Sequence, residues 1–462
     1  MKLLTGTDGR PLFTSRRVLT NFIVLVLCSQ FAFSVLAMKG ALLPQLLELW
    51  QISKTQFGLL MSIYGIVHNI FYVALAWAQD RFSPRVLIPI NMIFGGITTF
   101  FLGMTSDFAT LCFLFVMLSL WCEGAFWPAV LSAVRRSTSD SNQGKIFGLL
   151  EGGRGIIELL QNALAVGLYA AFTYSTLGLE VAFMVNAIIM IVLGVVSWLM
   201  LPKETLLKAG TDRTLANREV ALGMRAMFRL PEVWLAGIVG FTVYMAYTSM
   251  PFFLTYLQDL HALPLVAISI FGIVSTSAGR IGVAIPAGFI ADRYFGGAIG
   301  GMRVGLVAVA LVCLCLALLP TTAGFAWPAM VLMTALAFLF FYLRALYFAP
   351  FGEMGLPQRF SGSVIAIAAF LIYLPSSFAY LLWGYTIDTN PGAAGYSMLF
   401  GLLVVITFAG TLLAHLLKRR IAAGSTRTIE QRVAELDASL GFEAREKTLS
   451  ELIDSKPAAK NS

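Results

Sequence analysis

Twelve long apolar runs follow one another along this chain, with only short polar connections between most of them. They lie at about 20–47, 55–79, 86–105, 109–133, 146–172, 178–201, 232–258, 264–291, 301–320, 326–349, 362–386 and 395–418. A helix needs about 20 predominantly apolar residues to cross the hydrocarbon core of a bilayer. The pattern therefore predicts an all-α membrane protein with twelve transmembrane helices, which we number as spans 1 to 12.

Composition excludes several other classes of protein. Charged residues make up 12% of the 462 positions, about half of what soluble domains carry, which argues against a soluble enzyme. The 36 Phe and 8 Trp supply too much apolar area for a disordered chain. The five cysteines all lie inside apolar runs and the three histidines are far apart, so we expect neither a disulfide framework nor a metal site. No phosphate-binding loop motif occurs, which disfavours ATP-driven transport, and we expect no cofactor. The first apolar run is too long for a cleaved signal peptide.

Basic residues predict the orientation in the membrane. Of the 32 Lys and Arg, 14 lie in the connections after spans 2, 4, 6, 8 and 10, whereas Lys54 alone lies in a connection on the other side. Because positive charge marks the cytoplasmic side, we expect both termini and the central loop in the cytoplasm, with the chain in the plasma (inner) membrane. The predicted organisation is a six-helix bundle (1–201), a cytoplasmic loop (202–230), a second six-helix bundle (231–418) and a cytoplasmic tail (419–462).

A repeated loop carries a resemblance to a known family. The stretches AWAQDRFSPR (76–85) and GFIADRYFGG (288–297) close spans 2 and 8, and their Asp-Arg pairs, Asp80–Arg81 and Asp292–Arg293, are 212 residues apart. Gly288 followed by Asp292 and Arg293 resembles the signature loop of the major facilitator superfamily, although Ala76 replaces the glycine in the first copy. The resemblance implies two six-helix bundles that move by alternating access, with these Asp-Arg pairs in gating loops.

Two shorter stretches, DRFSPRVLIP (80–89) and EGAFWP (123–128), are similar to the branch of organophosphate antiporters and organic-anion symporters. In that branch, basic residues on the first and seventh helices bind the anion. Lys39 matches the first of these. Span 7 has no Lys or Arg and offers Tyr244 and Tyr247 instead, which departs from the pattern of phosphate antiporters.

Ionisable residues inside the spans are the candidate functional groups, because each costs about 2.5–3.5 kcal/mol at the bilayer centre unless it is paired or faces a cavity. In span 5, Glu151, Arg154 and Glu158 share one helical face, either as a substrate site or as an intrahelical ion-pair stripe. Arg280 has no acid within a turn of its own helix, so its partner is a remote residue or a substrate. His68 occupies the equivalent place in the first half, either in a polar helix contact or in proton handling.

The remaining candidates also have two interpretations each. Glu123 either binds and releases a proton or forms a fixed ion pair with Arg154. Arg344 either contacts substrate or pairs with Glu353 near the membrane surface, and Lys39 either contacts substrate or extends outward to water.

These residues predict a proton-coupled secondary transporter of a small organic anion. The predicted substrate-binding residues are Arg154, Arg280, Lys39, Arg344, Tyr244 and Tyr247, and the predicted proton-coupling residues are Glu123, Glu151, Glu158 and His68. The expected partners are a small molecule, protons and the lipid bilayer, with no nucleic acid, and we expect a monomer. The alternatives are transport of a neutral sugar-like solute, export of drugs, and a membrane sensor that does not transport.

Overall fold

The computed structural model describes residues 12–13, 15–75, 82–135, 137, 143–202, 230–283, 286–354 and 361–421. Regular structure within these ranges is entirely helical. Asp80 and Arg81, most of the central loop and the tail from residue 422 lie outside the described residues.

The helices fall into twelve groups that coincide with the predicted spans, and several groups contain a break. In chain order they are α1 (Arg16–Phe31 and Ser34–Trp50), α2 (Lys54–Ala74), α3 (Pro84–Leu102), α4 (Phe108–Ser119, Leu120–Gly124 and Phe126–Arg135), α5 (Gln143–Ala171), α6 (Thr176–Met200), α7 (Pro231–Tyr247 and Phe252–His261), α8 (Leu265–Ile273, Val274–Ala278, Gly279–Val283 and Ala287–Phe295), α9 (Ala298–Leu318), α10 (Ala326–Leu346 and Ala349–Glu353), α11 (Ser361–Tyr373, Leu374–Ser377 and Ala379–Thr389) and α12 (Ala393–Arg420).

Length and composition identify fewer membrane spans than the twelve predicted. Within the described residues, nine helices are long and apolar enough to cross a bilayer, and a tenth is added if the two parts of α1, bent by 44°, are taken as one span. The other two groups, α2 and α5, contain 21 and 29 residues. The helix α5 carries Glu151, Arg154 and Glu158 along its length, which lowers its hydropathy. Twelve spans and the orientation of the termini therefore stay predictions.

Several of the helix irregularities have a local cause. Within the second part of α1, Leu42 has non-helical dihedral angles two residues before Pro44, because a proline ring clashes with the preceding turn and removes a hydrogen-bond donor. Pro251 lies in the break of α7, and Pro375 lies in the 3₁₀ turn of α11. Both α4 and α8 contain a five-residue π-helical segment, a feature often found at functional sites.

The packing of the two halves places several of the candidate side chains between them. Within the N-terminal half (α1–α6), α3 packs along α6, and within the C-terminal half (α7–α12), α9 packs along α12. Contacts between the halves are made by α2 with α11, by α1 with α7 and α8, and by α5 with α8. The charged residues of α1, α5 and α8 are consequently brought to the interface between the halves.

Candidate substrate and proton site

A network of four charged side chains joins α5 to α8. The Arg280 guanidinium donates to Glu158 and, at 2.8 Å, to Glu151. Glu151 also accepts a hydrogen bond from Arg154 at 2.8 Å. The Glu158 side chain is 14% exposed, whereas that of Glu151 is 51% exposed, so the network runs from the interior of the protein to its surface.

The pairing within this network differs from an ion-pair stripe confined to α5. The structure contains the Glu151–Arg154 pair that the i, i+3 spacing predicts, but Glu158 turns away to Arg280 on the other half. Arg280, expected to rely on a remote residue or a substrate, thus has two remote carboxylates. The Arg154 guanidinium also lies against the rings of Trp127 (4.5 Å) and Phe33 (5.3 Å). Both arginines are therefore compensated by the protein itself.

Of the three arginines predicted to bind substrate, Arg344 is the one that forms no ion pair with a carboxylate among the described residues, whereas Arg154 and Arg280 each do. Its carbon Cζ lies 4.1 Å from the ring centre of Tyr247 and 5.9 Å from that of Tyr244. Its Nε is buried and has no hydrogen-bond partner there. Glu353, the alternative partner, instead accepts a hydrogen bond from the backbone N–H of Ala298 at the start of α9. A buried unpaired donor is costly, so the charge of Arg344 is balanced less completely than the charges of Arg154 and Arg280.

Lys39 likewise has no carboxylate within hydrogen-bond distance among the described residues. Its Nζ lies 5.3 Å from the ring centre of Tyr380. Both residues line a cavity of about 40 Å³ together with Glu158, Tyr247 and Thr276. A cavity of this size holds a few water molecules, so a sugar-sized ligand requires the surrounding side chains to move apart. Tyr247 lines this cavity with Lys39, and its ring centre also lies 4.1 Å from Cζ of Arg344, so both cations are close to this tyrosine.

Tyrosines surround this pair of cations. Tyr244 packs edge-on against Tyr373 with ring centres 5.1 Å apart, and the hydroxyls of Tyr347 and Tyr373 are 3.0 Å apart. A ring face attracts a cation, and a phenol hydroxyl donates or accepts a hydrogen bond. The cluster therefore holds the cations in place and offers hydroxyls to a polar ligand.

Glu123 belongs to a separate cluster on the N-terminal half. Its carboxylate accepts a hydrogen bond from the Tyr64 hydroxyl at 3.1 Å and lies 3.5 Å from Nδ1 of His68. The side chains of Glu123 and His68 are 16% and 19% exposed. Glu123 thus lies next to His68 and Tyr64, and it forms no ion pair with Arg154 in the described structure.

Helix irregularities surround the site. Glu123 lies within the π-helical segment of α4, and Arg280 directly follows the π-helical segment of α8. Tyr247 and Tyr373 each end a helical segment before a break. In membrane transporters, broken helices at mid-depth form substrate sites because they free backbone groups and bend side chains toward a cavity. Sequence reasoning missed Tyr64 and Tyr380, which carry no local signal beyond an aromatic residue in an apolar run.

The second copy of the repeated loop is described, whereas the first is not. Asp292 and Arg293 lie near the end of α8 and are exposed. The loop then turns at Gly296 and Gly297, whose φ angles of 65° and 97° favour glycine.

Comparison with known proteins agrees with this architecture. The family model of the Major Facilitator Superfamily matches residues 22–380. The chain belongs to this superfamily. It is 23% identical over 401 residues to the inner membrane protein YihN of Escherichia coli, covering 87% of this chain and 95% of that protein. It is 22% identical over 373 residues to the hexuronate transporter of Bacillus subtilis, covering 77% of this chain and 84% of that protein. The crystal structure of the nucleoside transporter NupG shares the fold, with a TM-score of 0.69 at 14% identity over 86% of this chain and 99% of that one.

The Arg280 network gives a prediction about stability. Arg280→Met leaves the partly buried carboxylate of Glu158 without a cation, and we expect a loss of about 2–3 kcal/mol, below the usual range for a fully buried pair because Arg280 keeps some contact with water. The double variant Arg280→Met/Glu158→Met, which removes both charges, should regain most of the lost stability. Thermal unfolding of the purified variants measures both values. A single variant as stable as the wild type would mean that Arg280 is not held by this network.

Proposed function

We propose that this member of the superfamily is a secondary transporter that moves a small organic anion together with protons by alternating access. The observation that carries the proposal is Arg344, whose buried Nε has no hydrogen-bond partner and whose guanidinium, unlike that of Arg154, has no carboxylate partner among the described residues. A carboxylate, phosphate or sulfonate would accept bidentate hydrogen bonds from this group. A neutral solute would leave its charge uncompensated.

The balance of charge in the site supports an anionic substrate. Arg154 and Arg280 are matched by Glu151 and Glu158. Lys39 and Arg344 remain without an ion pair among the described residues, and each contacts a tyrosine ring. We propose that these two cations near Tyr247 create a positive potential at the interface of the halves, where a transported solute has to pass.

Glu123 provides a route for coupling to protons. Glu158 lines the same cavity as Lys39, and we propose that Glu123, in the π-helical segment of α4, also acts on the Lys39 ammonium through its charge. When Glu123 takes up a proton, one negative charge near Lys39 disappears and an anion binds more tightly. By linkage, the bound anion in turn favours the protonated Glu123, so that proton and anion travel together. His68, 3.5 Å from the Glu123 carboxylate, is placed to exchange that proton.

The proposal includes the arrangement in the membrane. We propose that 1–201 and 231–418 form two six-helix bundles in the inner membrane, where the relative YihN is named as an inner membrane protein. The termini, the loop 202–230 and the tail 419–462 are then cytoplasmic because they carry most of the basic residues. The protein acts as a monomer in this proposal, and Asp80, Arg81, Asp292 and Arg293 belong to the cytoplasmic gating loops.

A binding experiment with a matched pair of ligands tests the charge of the substrate. D-glucuronate and D-glucose share a pyranose scaffold and differ in one carboxylate, and a relative of this chain is a hexuronate transporter. Purified protein should be stabilised against heat by glucuronate or by another anion in a panel of carboxylates, phosphates and sulfonates, and not by glucose. Stabilisation by neutral sugars alone would contradict the proposal and favour a neutral-solute transporter.

A further inference from the structure

Two carboxylates of the C-terminal half hold the start of α2 at the end of the molecule opposite the starts of α1 and α7. Asp388, in the last turn of α11, accepts hydrogen bonds from the backbone N–H of Thr55 at 2.7 Å and from its hydroxyl at 2.6 Å. Asp259 of α7 lies 3.0 Å from Nζ of Lys54 and accepts a hydrogen bond from Tyr396 at 2.6 Å. We call Lys54, Thr55, Asp259, Asp388 and Tyr396 the outer latch.

The Asp388 contact is a helix cap supplied from the other half of the protein. The first N–H groups of a helix have no partner inside the helix. Ser53 and Gln56 form a local capping box, in which each side chain accepts from the backbone N–H of the other at 3.2 and 3.0 Å. The capping box leaves the backbone N–H of Thr55 without a local partner, and this group donates to Asp388. The cap therefore exists only while α2 and α11 are in contact.

The backbones of the halves are in close contact around the latch. A Cβ atom on Gly384 would overlap the carbonyl oxygen of Lys54, and one on Gly58 would overlap that of Tyr380. Further toward the opposite end, no atom lies within 4 Å of the Cβ position at Gly152 of α5 or at Gly282 of α8. The halves are therefore closed at the latch, and that closure depends on glycine.

We propose that the outer latch holds the halves closed at this end, and that the Asp388 cap determines how often they separate during transport. The four residues whose contacts cross between the halves, Lys54, Thr55, Asp259 and Asp388, are exposed or partly exposed, so water replaces their hydrogen bonds when the halves part. Each contact is therefore weak enough to break in every cycle. The inference concerns the access change of the transporter and does not depend on the charge of its substrate.

The chain contains a matched control for this cap. At the same end of the molecule, Asp107 accepts from the backbone N–H of Thr110 at 2.8 Å and from its hydroxyl at 2.6 Å. The geometry repeats that of Asp388 with Thr55, but both partners belong to the start of α4. Removing Asp107 removes an equivalent cap without touching the interface between the halves.

Cysteine labelling tests the latch without any substrate. In a background with the five native cysteines replaced, Ser62→Cys places a reporter on α2, on the helical face shared by Gly58 and Gly65 (i, i+4 and i+7) that packs against α11. Ser62 is 2% exposed. A membrane-impermeant maleimide added outside intact cells reacts with this cysteine only when the halves separate at the latch end.

Asp388→Ala should raise the labelling rate between about twofold and thirtyfold, the range that follows from the loss of one N-cap. Asp388→Asn should label close to the parental rate, because an asparagine oxygen caps a helix about as well as aspartate. Asp107→Ala should leave the rate unchanged. An Asp388→Ala protein that labels at the parental rate would overturn the proposal, as would an equal increase in Asp107→Ala.

A second variant covers the case in which Asp388→Ala does not reach the membrane. Gly384→Ala introduces a Cβ that collides with the backbone of α2, so labelling at Ser62→Cys should rise. Gly167→Ala is its control, since no atom lies within 4 Å of that Cβ position, and it should label as the parent does. Parental labelling in Gly384→Ala would also overturn the latch.

Discussion

Replacing Arg344 should reduce anion affinity more than replacing any other cation of the site. In Arg344→Gln the guanidinium and its charge are lost, and we expect affinity for the stabilising anion to fall by about thirtyfold or more, as when one partner of a buried charged hydrogen bond is removed. Arg344→Lys keeps the charge but loses the planar fork and its stacking on Tyr247, so an intermediate loss of about tenfold is expected. Isothermal titration or ligand-dependent thermal shifts measure the affinities.

The control for Arg344 is Arg303, an arginine of α9 that lies 3.1 Å from His415 and outside the site. Arg303→Lys should bind the anion with wild-type affinity. If the folded Arg344→Gln protein also bound with wild-type affinity, the proposed two-cation site near Tyr247 would be wrong. The anion would then bind at another site, or the substrate would not be an anion.

Glu123→Gln should abolish proton-driven accumulation while leaving exchange of the anion intact. Glutamine keeps the shape of the side chain and its acceptor for Tyr64 but cannot release a proton, so it mimics the protonated, anion-binding state. A gradient of one pH unit is worth about 1.4 kcal/mol per proton and supports about tenfold accumulation in the wild type. In the variant, the ratio of internal to external anion should stay near one.

Radiolabelled uptake into proteoliposomes, with and without a pH gradient, measures this difference. Glu48→Gln is the matched control, because Glu48 is an exposed carboxylate at the end of α1, and its accumulation should equal that of the wild type. Gradient-driven accumulation that persists in Glu123→Gln would remove Glu123 from the coupling mechanism and direct attention to Glu151 and Glu158.

The positions of the helices followed from the sequence because a run of apolar residues is a local signal. The run at 178–201 corresponds to Thr176–Met200, and the run at 301–320 corresponds to Ala298–Leu318. The internal breaks were not predicted. The run at 232–258 is one continuous apolar stretch, yet α7 stops at Tyr247 and restarts at Phe252 after Pro251. A hydropathy average does not resolve a break of this length.

For the charged residues, partners close in the sequence were predictable, whereas partners far apart in the sequence were not. Glu151 and Arg154 are three positions apart, so helical geometry alone predicts their contact. Arg280 and Glu158 are 122 positions apart and meet only because α5 packs against α8. From the sequence alone, Arg280 therefore looked like the arginine without an acidic partner. In the structure Arg280 is paired, whereas Arg344 contacts the rings of Tyr244 and Tyr247 of α7 and forms no ion pair among the described residues.

Substrate-dependent proton movement in proteoliposomes tests the central claim most directly. Liposomes containing the wild-type protein and an internal pH-sensitive dye are mixed with the anion that stabilises the purified protein, with no pH gradient imposed at the start. If anion and proton enter together, the interior becomes acidic on addition of the anion, and addition of D-glucose causes no change. Entry of labelled anion without internal acidification would contradict proton coupling, and acidification driven by neutral sugars but by no anion would contradict the anion site.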